Sequence, residues 1–477
     1  MTTRQCWCVS PRALWVIVLL ALVAGTGLSR AQQSREWTRI TDPTDPNIHE
    51  AALGRTDDGV LHVVWLKKNG TKLDLMHTAI GKDGHVLGAP TAVLEGWTNL
   101  NNPDLVVSKD GGLHLFFGGQ RTTDVKDPYS GGSLYSATAP ASGAAWTLVK
   151  GALAQSSSVL ASPVGAALMP DGTPVMTWAG SFALSVHIGI SPKSPDQKFQ
   201  ASCCAYQPDV AVDATSGEGV LGWYSNATKE HGLYTQTIAP TAGEKQFVPD
   251  SATPDRSSSL SVGQRMAITG RIGAPGIYVA YGAGYPTYKT VNLWRHGSTE
   301  PFVVAPAQGA RLVNIAAGPE GRLWVMWERG RRVFATRSNR DATRFGAIVE
   351  VAPPMGKAES GIYKVKGEGW LGPLDLFAAC QSASELATYH TQVFPGLSLA
   401  ANPTALTAVH GGSMTFQVTD AGDPVPDATI SFAGKSLTTD AQGRASYAVA
   451  KGSKPGGLPA TASKAGYTSA SLQLAVK

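Results

Sequence analysis

Cysteine is scarce: there are 5 in 477 residues, and Cys6 and Cys8 fall at the very start of the chain. Cys203, Cys204 and Cys380 remain, too few for a disulfide framework and without metal-ligand spacing. Charged residues are also sparse, at 16%, with 40 Lys+Arg against 35 Asp+Glu. Such a balance excludes the strongly basic face that nucleic acid or an anionic membrane would require. Heptads of Ala, Glu, Lys and Leu are missing, which excludes a coiled coil or helical bundle. No run of 18 apolar residues follows the N-terminal segment, so no later membrane-spanning helix is expected.

What is present begins with a targeting pattern. Arg4 and Arg12 form a basic n-region, and Leu14 to Ala24 is almost unbroken apolar sequence. That stretch has the length of a signal-peptide core and is short for a membrane span. Ser29-Arg30-Ala31 supplies a small-x-small cleavage site, so residues 1–31 read as a signal peptide cut before Gln32. The remaining chain is then secreted or periplasmic, with a net charge near +2. Hydrophobic residues at 43% mark it as globular rather than disordered. Gly at 53, Pro at 30 and 37 aromatic residues favour turns and strands.

One pattern recurs through most of the chain: a Gly-bearing turn, then a strand ending in an aromatic. It reads LHVVW (Leu61–Trp65), LHLFF (Leu113–Phe117), PVMTW (Pro174–Trp178), VLGW (Val220–Trp223), IYVAY (Ile277–Tyr281) and LWVMW (Leu323–Trp327). A degenerate seventh copy is LDLFA (Leu374–Ala378). Successive strand ends are 52, 61, 45, 58, 46 and 51 residues apart. Periods of 40 to 60 residues with about four strands each are those of a β-propeller. A smooth strand precedes each aromatic one, as in PDLVVS (Pro103–Ser108) and PDVAVD (Pro208–Asp213), and suits the innermost position. A further strand follows each. The expectation is an all-β fold: a seven-bladed β-propeller over residues 36–394, with six blades, an open solenoid or paired sandwiches as alternatives. Trp37 to Ile40 would supply the outer strand of the last blade, closing the ring and removing a sheet edge.

After Phe394 the pattern changes. Residues 397–477 are poor in aromatics, and alternation in segments such as FQV, TISF and ASYAV fits strands with one buried face. Together with Gly422-Asp-Pro-Val425, Thr439-Asp440 and Ala465-Gly-Tyr467, they resemble the bacterial Ig-like and carboxypeptidase-regulatory-like sandwich families. That resemblance implies a spacer or adhesion module.

In a propeller the ligand face collects the loops that lead into inner strands and those that leave aromatic strands. The first set contributes Asp42, Asp45, Cys203, Cys204, Tyr206, Gln207, Arg256 and Arg311. The second contributes Arg121, Asp124, Asp127, Tyr129, Tyr224, Glu230, His231, Tyr285, Glu328 and Arg329. Asp58, Asp110 and Asp171, in Asp-Gly turns, fall on the opposite side as turn formers. His62 and His114 occupy equivalent repeat positions and read as packing residues. Aromatic rings and hydrogen-bonding side chains suit sugars, and arginine forks suit carboxylates. With these residues the chain resembles the sialidase-like propeller superfamily. The resemblance implies an acidic saccharide held by arginines and cleaved by a Tyr activated by Glu, with an Asp as acid. The chain departs from that pattern in having Gly273 after Arg271-Ile272, and Ser108-Lys-Asp110-Gly-Gly112 in place of an Asp-box. Candidate catalytic residues are therefore chosen by position: Tyr224 with Glu230, Glu328 beside Arg329, and Asp124 or Asp127 as proton donor. Arg121, Tyr129, Cys203, Cys204, Tyr206, Gln207, His231, Arg256, Tyr285, Arg311 and Arg329 are the candidate binding residues.

Adjacent Cys203 and Cys204 could join as a vicinal disulfide, remain independent thiols, or bridge to Cys380. No cofactor is expected; Asp42, Asp45 and Asn47 offer oxygen ligands to calcium, in a segment that reads equally as a turn. The functional expectation is an exported glycan-directed protein that cleaves an acidic saccharide as a hydrolase or lyase. A non-catalytic carbohydrate- or protein-binding surface protein is the alternative.

Overall fold

The computed structural model describes residues 35–41, 50–180, 183–199, 204–353, 361–381, 386–406, 412–449, 451 and 456–476. Residues 31–477 form one compact unit. Strands dominate, and the only helical pieces among the described residues are two short 3-10 turns, Ser157–Ala161 and Pro319–Gly321.

Seven sheets follow one another along the chain. Each recurring aromatic strand is the second strand of its sheet, from Leu61–Asn69 in sheet 1 to Leu374–Gln381 in sheet 7. Neighbouring strands in these sheets are antiparallel, and short turns join first to second strands, as at residues 56–60 and 169–173. The turns work as their chemistry demands. Asp58 Oδ1 accepts from Thr56 Oγ1 at 2.7 Å and from the Val60 N–H at 3.1 Å, while Gly59 takes the left-handed φ of 88° that favours glycine. Asp110 and Asp171 bond their own turns in the same way.

The buried aromatics sit between sheets. Trp97, Phe117 and Tyr135 pack with Val64 and Leu75 between sheets 1 and 2. Comparable clusters fill each later gap, and the last joins Phe377 of sheet 7 to Leu61, Val63 and Trp65 of sheet 1. Each sheet is therefore hydrophobic on both faces, which a ring of sheets requires. Closure has two further supports. Thr38–Arg39 pairs with Tyr389 and His390 as the outer strand of sheet 7. Arg55 of sheet 1 pairs with Glu368 at 2.5 Å and with Asp375, both of sheet 7.

Beyond Phe394 lie two further sheets. One contains Ser398–Asn402, Gly412–Asp420 and Arg444–Val449; the other contains Thr429–Phe432, Gly456–Ser463 and Ala470–Val476. They enclose a separate core of Met414, Phe416, Val418, Ile430 and Phe432. Asp420, which is buried, bonds Arg337 and stands 3.2 Å from Arg322; Asp423 lies 2.7 Å from Arg322. These ion pairs fasten the C-terminal sheets to sheet 6.

Candidate functional site

The first strands of all seven sheets line one cavity of about 450 Å³, within the range of ligand pockets. Its walls are mostly small and apolar, with Leu53, Leu105, Ala167, Val210, Ile268 and Ile315 among them. Near the starts of these strands the lining becomes charged. Glu50, Asp104, Asp209, Arg265, Lys364 and Lys366 come from sheets 1, 2, 4, 5 and 7 and converge there.

Arg265 stands at the centre. Its backbone N–H donates to Glu50 Oε1 at 2.9 Å, and its Nη2 donates to the Pro103 carbonyl at 3.1 Å. Nη1 lies 2.9 Å from Asp104 Oδ2 and Nε 3.3 Å from Glu50 Oε2. Those two approaches are ion pairs off the N–H direction, so Nε and Nη1 have no well-aligned acceptor. Lys364 Nζ is 3.2 Å from Glu50 and Lys366 Nζ is 3.5 Å from Asp104. Among the described residues Asp209 has no ion-pair partner; its Oδ1 accepts from the Val210 N–H at 2.9 Å. Asp104 and Asp209 flank the first strand of sheet 3. Asp104 Oδ2 accepts from the Ala166 N–H at 2.9 Å, and a side chain on Gly165 would collide with Asp209.

The environment separates these carboxyls. Burial works against the Glu50 charge, but Lys364, Arg265 and the Arg265 N–H overcome it and hold Glu50 at about 2. Burial drives Asp209 the other way, up to about 7; Arg265 opposes the shift and the Asp104 charge adds to it. Burial would weaken the Arg265 charge, yet Asp104, Asp209 and Glu50 raise its pKa further. A carboxyl poised near neutrality beside an ion-paired one is an arrangement that acid–base chemistry can use.

The residues expected from sequence form local groups in the loops. Arg121 grips Asp127 with bonds of 2.6 to 2.9 Å and stacks over Tyr129 at 4.4 Å. Burial alone would raise Asp127; the Tyr129 N–H and Arg121 outweigh it and hold the carboxyl low. Asp127 is thus suited to bracing its loop rather than giving up a proton. Asp124 accepts from the Lys126 N–H in the same loop. Glu328 is buried, accepting from Arg311 at 2.9 Å and from the Arg331 N–H at 2.7 Å. Arg329 lies over Phe334 and Arg256 over Phe247. Glu230 pairs with Lys245 at 3.1 Å. One convergence appears: Ser259 Oγ lies 3.4 Å from both Tyr224 OH and His231 Nδ1, and exposed Tyr206 packs on Tyr224. Tyr285 is also exposed, and Gln207 adopts a left-handed φ of 57°.

Cys204 is disulfide-bonded, whereas Cys380 is a buried free thiol, so the expected alternative of a bridge to Cys380 is not formed. Cys203, Asp42, Asp45 and Asn47 lie outside the described residues. The channel charges sit on or just before the innermost strands, not in the loops that carry the expected residues. The available signal was Pro-Asp at 103–104 and 208–209, at matching places in the innermost-strand segments of two repeats.

No family model and no curated protein matches this chain. Among solved structures it is similar to the polysaccharide lyase Uly1 (TM-score 0.43, 10% identity, covering 74% of this chain and 91% of that one). It is also similar to an α-L-arabinanase of Penicillium chrysogenum complexed with arabinobiose (0.45, 11%, 76% and 98%). A third neighbour is a mutant Trypanosoma rangeli sialidase displaying trans-sialidase activity (0.41, 8%, 75% and 58%). The likeness is one of chain trace. Among the described residues no helix is long and apolar enough to cross a membrane.

Proposed function

We propose that this is an exported, glycan-directed hydrolase acting on an acidic saccharide. In this reading residues 1–31 are a signal peptide, residues 36–394 a closed seven-bladed propeller and residues 397–477 an Ig-like sandwich. The observation that carries the proposal is the carboxyl pair in the channel, Asp209 up at about 7 and Asp104 held by Arg265 and Lys366. Asp209 donates its proton to the glycosidic oxygen as the C–O bond breaks. Asp104 takes a proton from the water that adds to the anomeric carbon. The same pair could serve elimination, with one group removing a proton and the other protonating the leaving oxygen.

A second reading is glycan binding without turnover. It is favoured by the three groups that already hold Asp104, namely Arg265, Lys366 and the Ala166 N–H. A panel of acidic and neutral oligosaccharides, assayed for binding and for products, separates the two. Product formation that falls by about 10²- to 10⁴-fold in Asp209→Asn is expected. Binding with no product in the wild type supports the second reading, and loss of turnover confined to Glu230→Gln or Glu328→Gln would move the chemistry to the loops.

A further inference from the structure

The charged end of the channel has an arrangement that the balance of opposite charges does not explain. Glu50 and Asp104 have cations at 3.5 Å or less, whereas Asp209 has no ion pair among the described residues. Arg265 is buried, lines the cavity, and leaves Nε and Nη1 without an aligned acceptor. Lys366 makes only a 3.5 Å approach to Asp104, and its side chain retains 25% exposure. An incoming carboxylate would share Arg265 and Lys366 with Asp104, beside a carboxyl that has no ion pair among the described residues.

We infer that the carboxylate of an acidic sugar is received here by Arg265 Nη1 and Lys366 Nζ, and that its arrival draws a proton from solvent onto Asp209. The inference rests on the glycan reading above and names the substrate group that the channel recognises. The charged groups facing Asp209 are Arg265 from sheet 5, Asp104 from sheet 2 and Lys366 from sheet 7; Glu50 and Lys364 complete the set. Three acids then face three bases. A ligand carboxylate makes a fourth anion, and protonating Asp209 restores the balance. The acidic sugar thereby loads the general acid that its own cleavage needs.

The sign of the linkage follows. Burial holds the Asp209 carboxyl up at about 7, and an anion arriving beside it favours the protonated form. Proton uptake on binding should therefore be larger at pH 8 than at pH 6, and affinity should fall as the pH rises above neutrality. D-glucuronate, which carries no glycosidic bond to cleave, is the probe, with D-glucose as its uncharged counterpart. Titration calorimetry of the full chain, in buffers of different ionisation enthalpy, measures the proton directly.

The expected result is glucuronate binding with proton uptake at pH 8, and none detectable for glucose. Asp209→Asn should bind without the uptake, and Lys366→Met should bind at least tenfold more weakly. Glucuronate binding without uptake in the wild type overturns the inference with no variant needed. So does equal binding of glucose, or no binding of glucuronate at pH 6. Turnover of acidic oligosaccharides by a protein that binds glucuronate without proton uptake would leave the glycan reading standing and remove only this inference.

Discussion

Arg265 concentrates the physics of the channel in one side chain. It holds two carboxylates in a site shielded from water, and such a charge is costly unless paired. Arg265→Met would leave Glu50 to Lys364 and Asp104 to the 3.5 Å approach of Lys366 alone. We expect a loss of about 3–5 kcal/mol in denaturant unfolding; a loss below about 1 kcal/mol would show that the channel charges are independently solvated. A second residue-scale effect concerns the buried pair His62 and His77, whose ring nitrogens lie 2.9 Å apart. Burial, with His62 adding, pushes His77 down to about 4, and burial also lowers His62. The unfolded chain takes up protons near pH 6.5 that the fold refuses. Stability from this pair is complete above that pH and declines from there towards pH 4. Melting temperatures between pH 7.5 and 5 should fall in the wild type, and less in His77→Gln; parallel slopes would remove the pair from the account. Neither group was legible as a site. His62 is buried at its repeat position, but its partner fifteen residues on follows only from the pairing of adjacent strands. The Arg265 contacts span up to 215 residues of chain, and no local pattern encodes them.

At the scale of elements the sequence was far more informative. An aromatic closing each second strand must be buried between sheets, so its recurrence marks the strands directly, from Trp65 to Trp327. Asp-Gly turns fix where those strands begin, because the Asp oxygen bonds the turn and glycine supplies the left-handed φ. The four residues before sheet 1 were legible as well: Thr38–Arg39 pairs with sheet 7 as the Trp37–Ile40 segment suggested. The loops were less legible, since an Arg, Tyr or Asp there looks the same whether it meets ligand or, like Arg121 with Asp127, its neighbour. Element packing has its own test at Gly270, which ends the first strand of sheet 5. A side chain there would run into the Val212 carbonyl of sheet 4, where backbone cannot yield cheaply. Gly270→Ala should cost about 1–3 kcal/mol by overpacking. An unchanged unfolding midpoint would mean that the two strands lie farther apart than described.

For the whole molecule, the question is what moves as one body. The C-terminal sheets have their own core, yet Asp420 and Asp423 meet Arg322 and Arg337 at an interface closed to water. Breaking a buried ion pair by removing one partner costs about 3–5 kcal/mol. Calorimetry of the wild type should therefore show one transition, and Asp420→Ala should separate the C-terminal module as an earlier one. Two transitions in the wild type would mean that the ion pairs do not couple the parts. The succession of seven sheets brings residues 50, 104, 209, 265, 364 and 366 to one place. That convergence is tested most directly by locating a bound acidic oligosaccharide in a crystal of the Asp209→Asn protein. Density is expected in the channel, with a sugar carboxylate against Arg265 and Lys366. Density over Tyr206 and Tyr224 with an empty channel would contradict it.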